Sequence, residues 1–141
     1  MLAEFQMTRR VQFAETDLAG VLHFANYYRY MEEVEHAFWR SVGCSVITKL
    51  DGREVSWPRV KTSMEYFVPA RFDDELGLSL TITNVSNRSM SLEVDFLRGD
   101  EKIATGKTKA VCCSMLDGRF SSIAIPEQLR AVLEGEKEAA S

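Results

Sequence analysis

The chain has 141 residues, of which 45% are hydrophobic and 27% are charged, and its formal net charge is −4. A chain of this size and balance is typical of one globular domain with a sizeable hydrophobic core, which excludes a protein that is disordered throughout. We expect a single domain over residues 1–134 and a flexible C-terminal tail over 135–141, where the residues are polar and small.

Three further classes of protein are disfavoured. The net charge disfavours non-specific nucleic-acid binding, which needs a cationic surface. The sequence has no signal-peptide pattern and no apolar stretch near the roughly 20 residues that span a membrane. The cysteines, Cys44, Cys112 and Cys113, cannot complete a set of disulfides and lack the spacing of a zinc site. We therefore predict a cytoplasmic protein with buried thiols, no metal or other cofactor, and no nucleic-acid or membrane partner.

The first predicted element is a strand. Apolar residues alternate with mostly polar ones from Phe5 to Phe13, which is the pattern of a half-buried strand. Residues 14–24 contain Gly20 and several loop-forming residues, so the regular strand is expected to break there.

A long helix follows this loop. We predict that it begins at residue 25 or 26, where Asn26 suits the N-cap, and ends near Val42, before Gly43. Its apolar side chains cover an arc of about 200°, wider than a helix on an open surface needs. The helix is therefore expected to be wrapped by other elements. The arc comprises Tyr27, Tyr28, Tyr30, Met31, Val34, Ala37, Phe38, Trp39 and Val42.

Four more strands and a short helix are predicted after the long helix. The first strand alternates irregularly, whereas the second and third alternate cleanly between apolar and polar residues. One long helix and five or six antiparallel strands make an α+β domain, in which the sheet can bury one face on the helix. In order, these strands cover residues 55–68, 76–82, 90–96 and 102–115, and the helix runs from Glu127 to Leu133.

The loop and the helix start carry a specific motif. Residues 13–30 read FAETDLAGVLHFANYYRY, with an aromatic residue followed by Thr16-Asp17, Gly20 and Ala25-Asn26-Tyr27. This frame resembles the 4-hydroxybenzoyl-CoA thioesterase family of hotdog proteins. Weaker landmarks extend the resemblance over nearly the whole chain, at Glu65-Tyr66, Pro69-Ala70, Asp74-Glu75-Leu76 and Ile125-Pro126.

The resemblance implies a fold, an assembly and an activity. The fold is a hotdog, in which a curved antiparallel sheet of five to six strands wraps around one long central helix. Two subunits are expected to join their sheets edge to edge as a homodimer, often within a homotetramer, with active sites at the subunit interface. The implied activity is hydrolysis of an acyl-CoA to a carboxylic acid and CoA. The acyl group stays open, as does the choice between CoA and an acyl carrier protein.

Asp17 is the predicted catalytic carboxylate. Thioester hydrolysis needs a base or a nucleophile beside the carbonyl carbon, and the loop before the long helix can supply one. Asp17 could activate water or attack directly to form an anhydride, and the sequence leaves both routes open. An ordinary loop aspartate that forms an Asx turn is the structural alternative.

The start of the helix is predicted to stabilise the oxyanion. Its first N–H groups lack intrahelical acceptors and lie at the positive end of the helix dipole. By motif position the donor is the backbone amide of Phe24, whose side chain is expected to line the pocket. The resemblance also assigns substrate contacts to Gly20, Asn26, Tyr27, Arg88 and Ser89.

Four of the candidate residues carry two interpretations each. Gly20 either allows close approach of the substrate or of a partner backbone, or serves only as a turn glycine. His23 either contacts the substrate or Asp17, or is a structural or exposed histidine. Many family members have His or Tyr at the next position, which Phe24 occupies in this sequence. Arg88 either binds CoA phosphate or is a solvated surface charge.

Glu35 is the fourth such residue. It falls at the edge of the apolar arc of the helix, where a carboxylate is partly desolvated and suited to proton transfer. Another branch of the hotdog superfamily uses a helix carboxylate for catalysis. Because Asp17 fits its own branch, we favour an interface or ion-pairing role for Glu35.

Two other functions compete with hydrolysis. A non-catalytic acyl-CoA sensor or binding module would keep the pocket and the phosphate contacts without needing Asp17. A hotdog dehydratase or hydratase expects a histidine and an acid at a different spacing, which this sequence does not contain.

Overall fold

A computed structural model of the chain describes residues 1–136, so most of the predicted C-terminal tail, from residue 137 onward, lies outside the described residues. A single turn of 3-10 helix, Phe13–Glu15, precedes the first of two α-helices. The helices are α1 (Asn26–Ser41) and α2 (Glu127–Leu133), and the strands are β1 (Glu4–Arg10), β2 (Thr48–Leu50), β3 (Arg53–Ser56), β4 (Arg59–Tyr66), β5 (Glu75–Val85), β6 (Ser89–Arg98), β7 (Glu101–Val111), β8 (Cys113–Leu116) and β9 (Arg119–Ser122).

The main sheet confirms the predicted hotdog architecture. Its five strands are antiparallel and lie in the order β1-β5-β6-β7-β4. The alternation seen in the sequence is realised in β5 and β6, where every second side chain is buried. This sheet curves around α1, so the fold is α+β with one long central helix.

Helix α1 is wrapped because it is apolar over most of its circumference. Tyr30, Val34 and Trp39 have no exposed surface, and Phe38 is 3% exposed. The predicted ends of the helix are correct to within one residue. The predicted N-cap is not correct, because Ala25 occupies that position and no side chain caps the helix. No helix in residues 1–136 is long and apolar enough to cross a membrane.

Strand β1 is shorter than its pattern indicates. It ends at Arg10, where the Val11 N–H donates to the Asp74 carbonyl oxygen, 2.9 Å away. The chain then forms the 3-10 turn, in which the Gln12 N–H donates to a Glu15 carboxylate oxygen at 2.8 Å. Local hydrogen bonding by Glu15 therefore overrides the strand pattern at Phe13.

A second antiparallel sheet, with strand order β2-β3-β8-β9, was not predicted. The predicted strand over 55–68 divides at Trp57-Pro58 into β3 and β4, and the one over 102–115 divides at Cys112 into β7 and β8. Both segments pass from one sheet to the other at the same place, where the Val111 N–H donates to the Pro58 carbonyl oxygen at 3.0 Å. Buried Trp57 stacks on Trp39 with 5.8 Å between ring centroids, which fixes this change of sheet against the helix.

Strand β4 forms one edge of the main sheet. Among the described strands it pairs only with β7, and seven of its eight residues are exposed. The edge carries apolar surface, since Val60 is 58% exposed and Tyr66 is 45% exposed. An exposed edge of this length offers unpaired backbone N–H and C=O groups to another strand.

Candidate active site

Asp17 lies in a narrow loop between the 3-10 turn and helix α1. The loop is closed by hydrogen bonds from the Asp17 N–H to the Val21 carbonyl oxygen and from the Gly20 N–H to the Asp17 carbonyl oxygen, both 2.9 Å long. One carboxylate oxygen of Asp17 also accepts from the Ala19 N–H at 2.9 Å, as in an Asx turn. The second oxygen is left for other partners. The Asx turn and a catalytic role are therefore compatible.

Gly20 has a backbone reason to be glycine. Its φ of +80° lies in the left-handed region, where other residues are strained. Apart from Gly20 and its two chain neighbours, no residue of 1–136 has an atom within 4 Å of the position that a Cβ would occupy, so the space beside it is open. Both interpretations of Gly20 thus fit the loop: the turn needs glycine, and another molecule has room to approach.

The backbone amide of Phe24 has no acceptor within residues 1–136. Its neighbours are all engaged: the His23 N–H donates to Glu15, the Ala25 N–H to the His23 ring and the Asn26 N–H to the His23 carbonyl oxygen. The free N–H lies directly before α1, at the positive end of the helix dipole. It can therefore donate to an anionic oxygen of a ligand.

Asp17 and Phe24 line the same cleft, of about 250 Å³. We call it the Asp17 cleft. Its remaining walls are apolar or aromatic, and they come from the loop, from α1 and from the end of β4 with the residues after it. These wall residues are Val21, Leu22, Tyr27, Tyr66, Phe67, Val68 and Pro69.

Two tyrosines shape the cleft. Tyr27 is buried, with its ring 5.0 Å from that of Tyr66 and 5.3 Å from that of Phe96, and its hydroxyl oxygen accepts from the Ala70 N–H at 3.4 Å. Burial raises the pKa of Tyr27, so the phenol stays neutral. The sequence marked Tyr66 only as a family landmark. The structure makes it a wall residue whose hydroxyl donates to the Phe24 carbonyl oxygen at 3.0 Å.

Asn26 and His23 face the loop backbone. The Asn26 side-chain amide donates to the Glu15 carbonyl oxygen at 2.8 Å, which holds the loop against the helix start. The His23 ring stacks on Phe24 with 4.6 Å between centroids, and its Nδ1 accepts from the Ala25 N–H. Within residues 1–136 no hydrogen bond joins His23 to Asp17. These contacts favour the structural interpretation of His23.

Arg88 and Ser89 lie far from Asp17 within one chain. Arg88 lies in the turn between β5 and β6 and Ser89 begins β6, whereas the Asp17 loop adjoins the opposite end of β5, at Glu75. Strand β5 has 11 residues, so the two ends are roughly 35 Å apart. Arg88 donates to the Ser122 carbonyl oxygen at 2.8 Å, and the Ser89 hydroxyl lies 2.6 Å from that of Ser86. A single chain does not bring Arg88 to the Asp17 cleft.

Glu35 is a buried ion-pairing residue. Its side chain is 3% exposed and pairs with the guanidinium of Arg59 on β4, with a second hydrogen bond of 3.1 Å from Arg59 Nη1. The indole N–H of Trp39 also points at the carboxylate, 3.4 Å away. Because its oxygens are already engaged, this geometry favours the ion-pairing interpretation over a catalytic one.

Across residues 1–136 no group of three or more His, Cys, Asp or Glu side chains is arranged to hold a metal ion. The three cysteines are all free thiols, with Cys112 and Cys113 buried and Cys44 half-buried. The chemical groups of the cleft are thus a carboxylate, a free backbone N–H and aromatic walls.

The chain is similar to known thioesterases in sequence and in fold. Residues 11–133 match the model of the thioesterase-like superfamily. A protein of Aquifex aeolicus named as an esterase is 32% identical over 131 residues, which cover 92% of this chain and 98% of that protein. The acyl-CoA thioesterase YbgC of Haemophilus influenzae is 22% identical over 90% of this chain and 92% of its own length. The structure of the gentisyl-coenzyme A thioesterase BH1999 superposes with a TM-score of 0.76 and 25% identity, covering 89% of this chain and 99% of that one. The chain belongs to the thioesterase-like superfamily and is a thioester hydrolase.

Proposed function

We propose that the protein hydrolyses acyl-CoA thioesters to a carboxylic acid and CoA at the Asp17 cleft. The single observation that carries the proposal is that the Asp17 carboxylate and the free Phe24 N–H line one cleft. A thioester bound between them would present its carbonyl carbon to the carboxylate and its oxygen to the N–H. Family relatives named as CoA thioesterases support CoA as the carrier.

The proposed chemistry has two routes, and in both of them the thioester carbonyl oxygen becomes an oxyanion. In the first, Asp17 takes a proton from water as the water attacks the carbonyl carbon. In the second, Asp17 attacks the carbon itself, releases CoA thiolate and forms an anhydride that water then hydrolyses. In both routes negative charge develops on the carbonyl oxygen, where the Phe24 N–H and the helix dipole stabilise it. In the first route the C–S bond then breaks and the thiolate takes up the proton held by Asp17. In the second route the released thiolate takes up a proton from water.

We also propose that the working unit is a homodimer, alone or within a homotetramer, joined through β4. One end of β4 adjoins the Asp17 cleft through Tyr66, and its other end follows Pro58, near the turn that carries Arg88. Antiparallel pairing of β4 with β4 of a second copy sets opposite ends side by side. It therefore brings the Arg88 turn of one copy toward the Asp17 cleft of the other, where Arg88 and Ser89 could contact CoA.

Thiol release from acyl-CoAs tests the catalytic proposal. A panel of short, long, branched and aromatic acyl-CoAs should include substrates that the wild-type protein hydrolyses and that Asp17→Asn hydrolyses at least about 100-fold more slowly. Asp117→Asn is the matched control, because Asp117 lies in an exposed turn of the second sheet. Acyl-CoA binding by calorimetry with no hydrolysis across the panel would instead favour a non-catalytic binding module. EDTA should leave the rate unchanged.

Mixed dimers test the shared site. Asp17→Asn and Arg88→Ala homodimers should each be impaired, by loss of the carboxylate and of a CoA contact respectively. In a mixed dimer, one cleft combines wild-type Asp17 with wild-type Arg88 from the other copy, so activity should return to about half of the wild-type value. No recovery on mixing would show that the two residues do not share a site across copies.

We place this activity in the cytoplasm. The chain carries three free cysteines, which a reducing compartment keeps unpaired.

A further inference from the structure

We infer that Glu15 is the positioning residue of this site: it fixes the Asp17 carboxylate relative to the Phe24 N–H without touching the substrate. The inference rests on the proposed function. Glu15 is the last residue of the 3-10 turn, two positions before Asp17. Neither the motif nor the family resemblance assigns it a role.

The Glu15 side chain connects three elements. Arg9 on β1 donates to both carboxylate oxygens, at 3.0 and 2.6 Å, and the Tyr30 hydroxyl on α1 donates at 2.6 Å. The Gln12 N–H supplies a further hydrogen bond at 2.8 Å. The side chains of Glu15 and Arg9 are each only 17% exposed, so water competes weakly for these contacts.

The Glu15 backbone holds the other end of the loop. Its carbonyl oxygen accepts from the His23 N–H at 3.0 Å and from the Asn26 side-chain amide at 2.8 Å. These two donors flank Phe24 in the sequence. One residue therefore holds both the approach to Asp17 and the segment that carries the oxyanion donor.

The surroundings allow this role to be separated from folding. Arg9 also pairs with Glu33, at 2.8 Å, and lies over the Tyr30 ring, 4.4 Å from its centroid. If Glu15 loses its charge, Arg9 keeps one carboxylate partner, so no cation is left buried and unpaired. We expect the fold to persist while the loop loses its strongest connection to β1 and α1.

The expected effect is on the chemical step. Small displacements of reacting groups cost large factors in rate, whereas remote contacts to CoA are unaffected. In Glu15→Gln we expect kcat to fall by about 10- to 100-fold, with KM and the stoichiometry of CoA binding unchanged. Glu15→Asp, which keeps the charge, should recover part of the loss. A merely structural role would lower the number of intact sites, and hence the binding stoichiometry, along with kcat.

The matched control is Glu75→Gln. Glu75 pairs with Arg10, the residue after Arg9, at 2.9 Å and at the same end of β1, but this pair is exposed and contacts no part of the loop. The control should keep wild-type kcat. If Glu15→Gln does not fold, Tyr30→Phe replaces it, because it keeps the buried ring and removes only a hydroxyl that donates to Glu15 at 2.6 Å and accepts from Arg9 at 3.4 Å. A lower kcat at unchanged binding stoichiometry then supports the inference, and a wild-type kcat overturns it.

Asp17→Asn, assayed in parallel, separates the two possible failures. Loss of activity in Asp17→Asn together with a Glu15→Gln kcat equal to that of Glu75→Gln would overturn the positioning role alone. Full activity of Asp17→Asn would overturn the proposed function and the inference with it. Loss in both variants, with Glu75→Gln normal and CoA binding intact, supports the inference.

Discussion

The Tyr66 hydroxyl donates to the Phe24 carbonyl oxygen, with 3.0 Å between Oη and O. The bond joins edge strand β4 to the segment that carries the proposed oxyanion donor, so both the strand and the helix start fix the cleft. Removing the Tyr66 hydroxyl therefore tests the orientation of the Phe24 peptide without changing the Asp17 loop.

Tyr66→Phe should lower kcat/KM by about 3- to 10-fold, because the Phe24 segment loses a contact that fixes its orientation. The free energy of unfolding should fall by about 1 kcal/mol or less, since water can reach the site of a tyrosine that is 45% exposed. Steady-state kinetics and urea unfolding measure the two effects. Tyr28→Phe is the control, because Tyr28 is similarly exposed at 37% and its hydroxyl has no hydrogen-bond partner among the described residues. Equal losses in the two variants would contradict the role of the Tyr66 bond.

Arg59→Met should destabilise the protein by about 2 to 4 kcal/mol, because it leaves the buried Glu35 carboxylate without its cation. Glu35→Gln should cost less, since Arg59 is 34% exposed on its side chain and can turn to water. In a double-mutant cycle the combined variant should be more stable than the sum of the single changes predicts. Thioester hydrolysis by Glu35→Gln within about twofold of wild type would support the ion-pairing interpretation. A loss like that of Asp17→Asn would support the catalytic one.

Gly106→Ala should destabilise the protein by about 1 kcal/mol. A Cβ there would overlap the sulfur of Met31 on α1 and approach Cε of Met64 to 2.8 Å, so these two flexible side chains would have to shift in the core. Gly77→Ala is the matched change in β5 of the same sheet, where the new Cβ meets Leu97 at an ordinary 3.7 Å. It should be neutral or slightly stabilising, because it restricts the unfolded chain. Thermal or urea unfolding of both variants checks the contrast.

Acid should weaken the fold through Glu15 and Asp74. Burial opposes ionisation of Glu15, but hydrogen bonds from Arg9 and Tyr30 outweigh it and hold the pKa of this carboxyl below its ordinary 4.5. Asp74, against the opposing effect of burial, is held below its ordinary pKa of 3.8 by the Arg71 N–H and by Arg98. Both carboxyls are more acidic in the folded chain, so their stabilisation is complete above these ordinary values. It is lost as the pH falls through the lowered ones.

Unfolding free energies measured from about pH 6 to pH 3 should therefore decline in the acid range, and less steeply in Glu15→Gln and in Asp74→Asn. An acid slope in both variants identical to that of wild type would show that neither carboxyl contributes.

The thiols should react slowly in the folded protein. Burial raises the pKa of Cys112 to about 11 and also raises the pKa of Cys44, which lowers the thiolate fraction at neutral pH. Titration with a thiol reagent should give three slow groups, with Cys112 among the slowest, and three fast ones in denaturant. Fast reaction of Cys112 in the native state would contradict its burial.

Periodicity predicted the elements that bury one face. The alternation of β5 and β6 and the apolar arc of α1 report directly on burial, so these elements were located to within a few residues. The second sheet was missed because the division of two strands at Pro58 and Cys112 depends on pairing between distant residues. Local pattern carries no information about such pairing.

The site was predictable only in part, for a similar reason. The motif led to Asp17 and Phe24, which line one cleft. A glutamate in a loop gives no signal that its side chain will join β1 to α1, so the contacts of Glu15 emerged only in three dimensions. The position of Arg88 at the far end of the sheet likewise followed from topology rather than from its motif.

The strand order β1-β5-β6-β7-β4 has a consequence for synthesis on the ribosome. Strand β4 is synthesised before β5, yet among the described strands it pairs only with β7. Met64 can therefore pair with Gly106 only after 42 more residues have been synthesised. Tyr66, which lines the cleft, cannot reach its native position in the sheet until β7 has been synthesised. Nascent chains that stop before residue 101 would therefore hold the loop motif without a finished cleft.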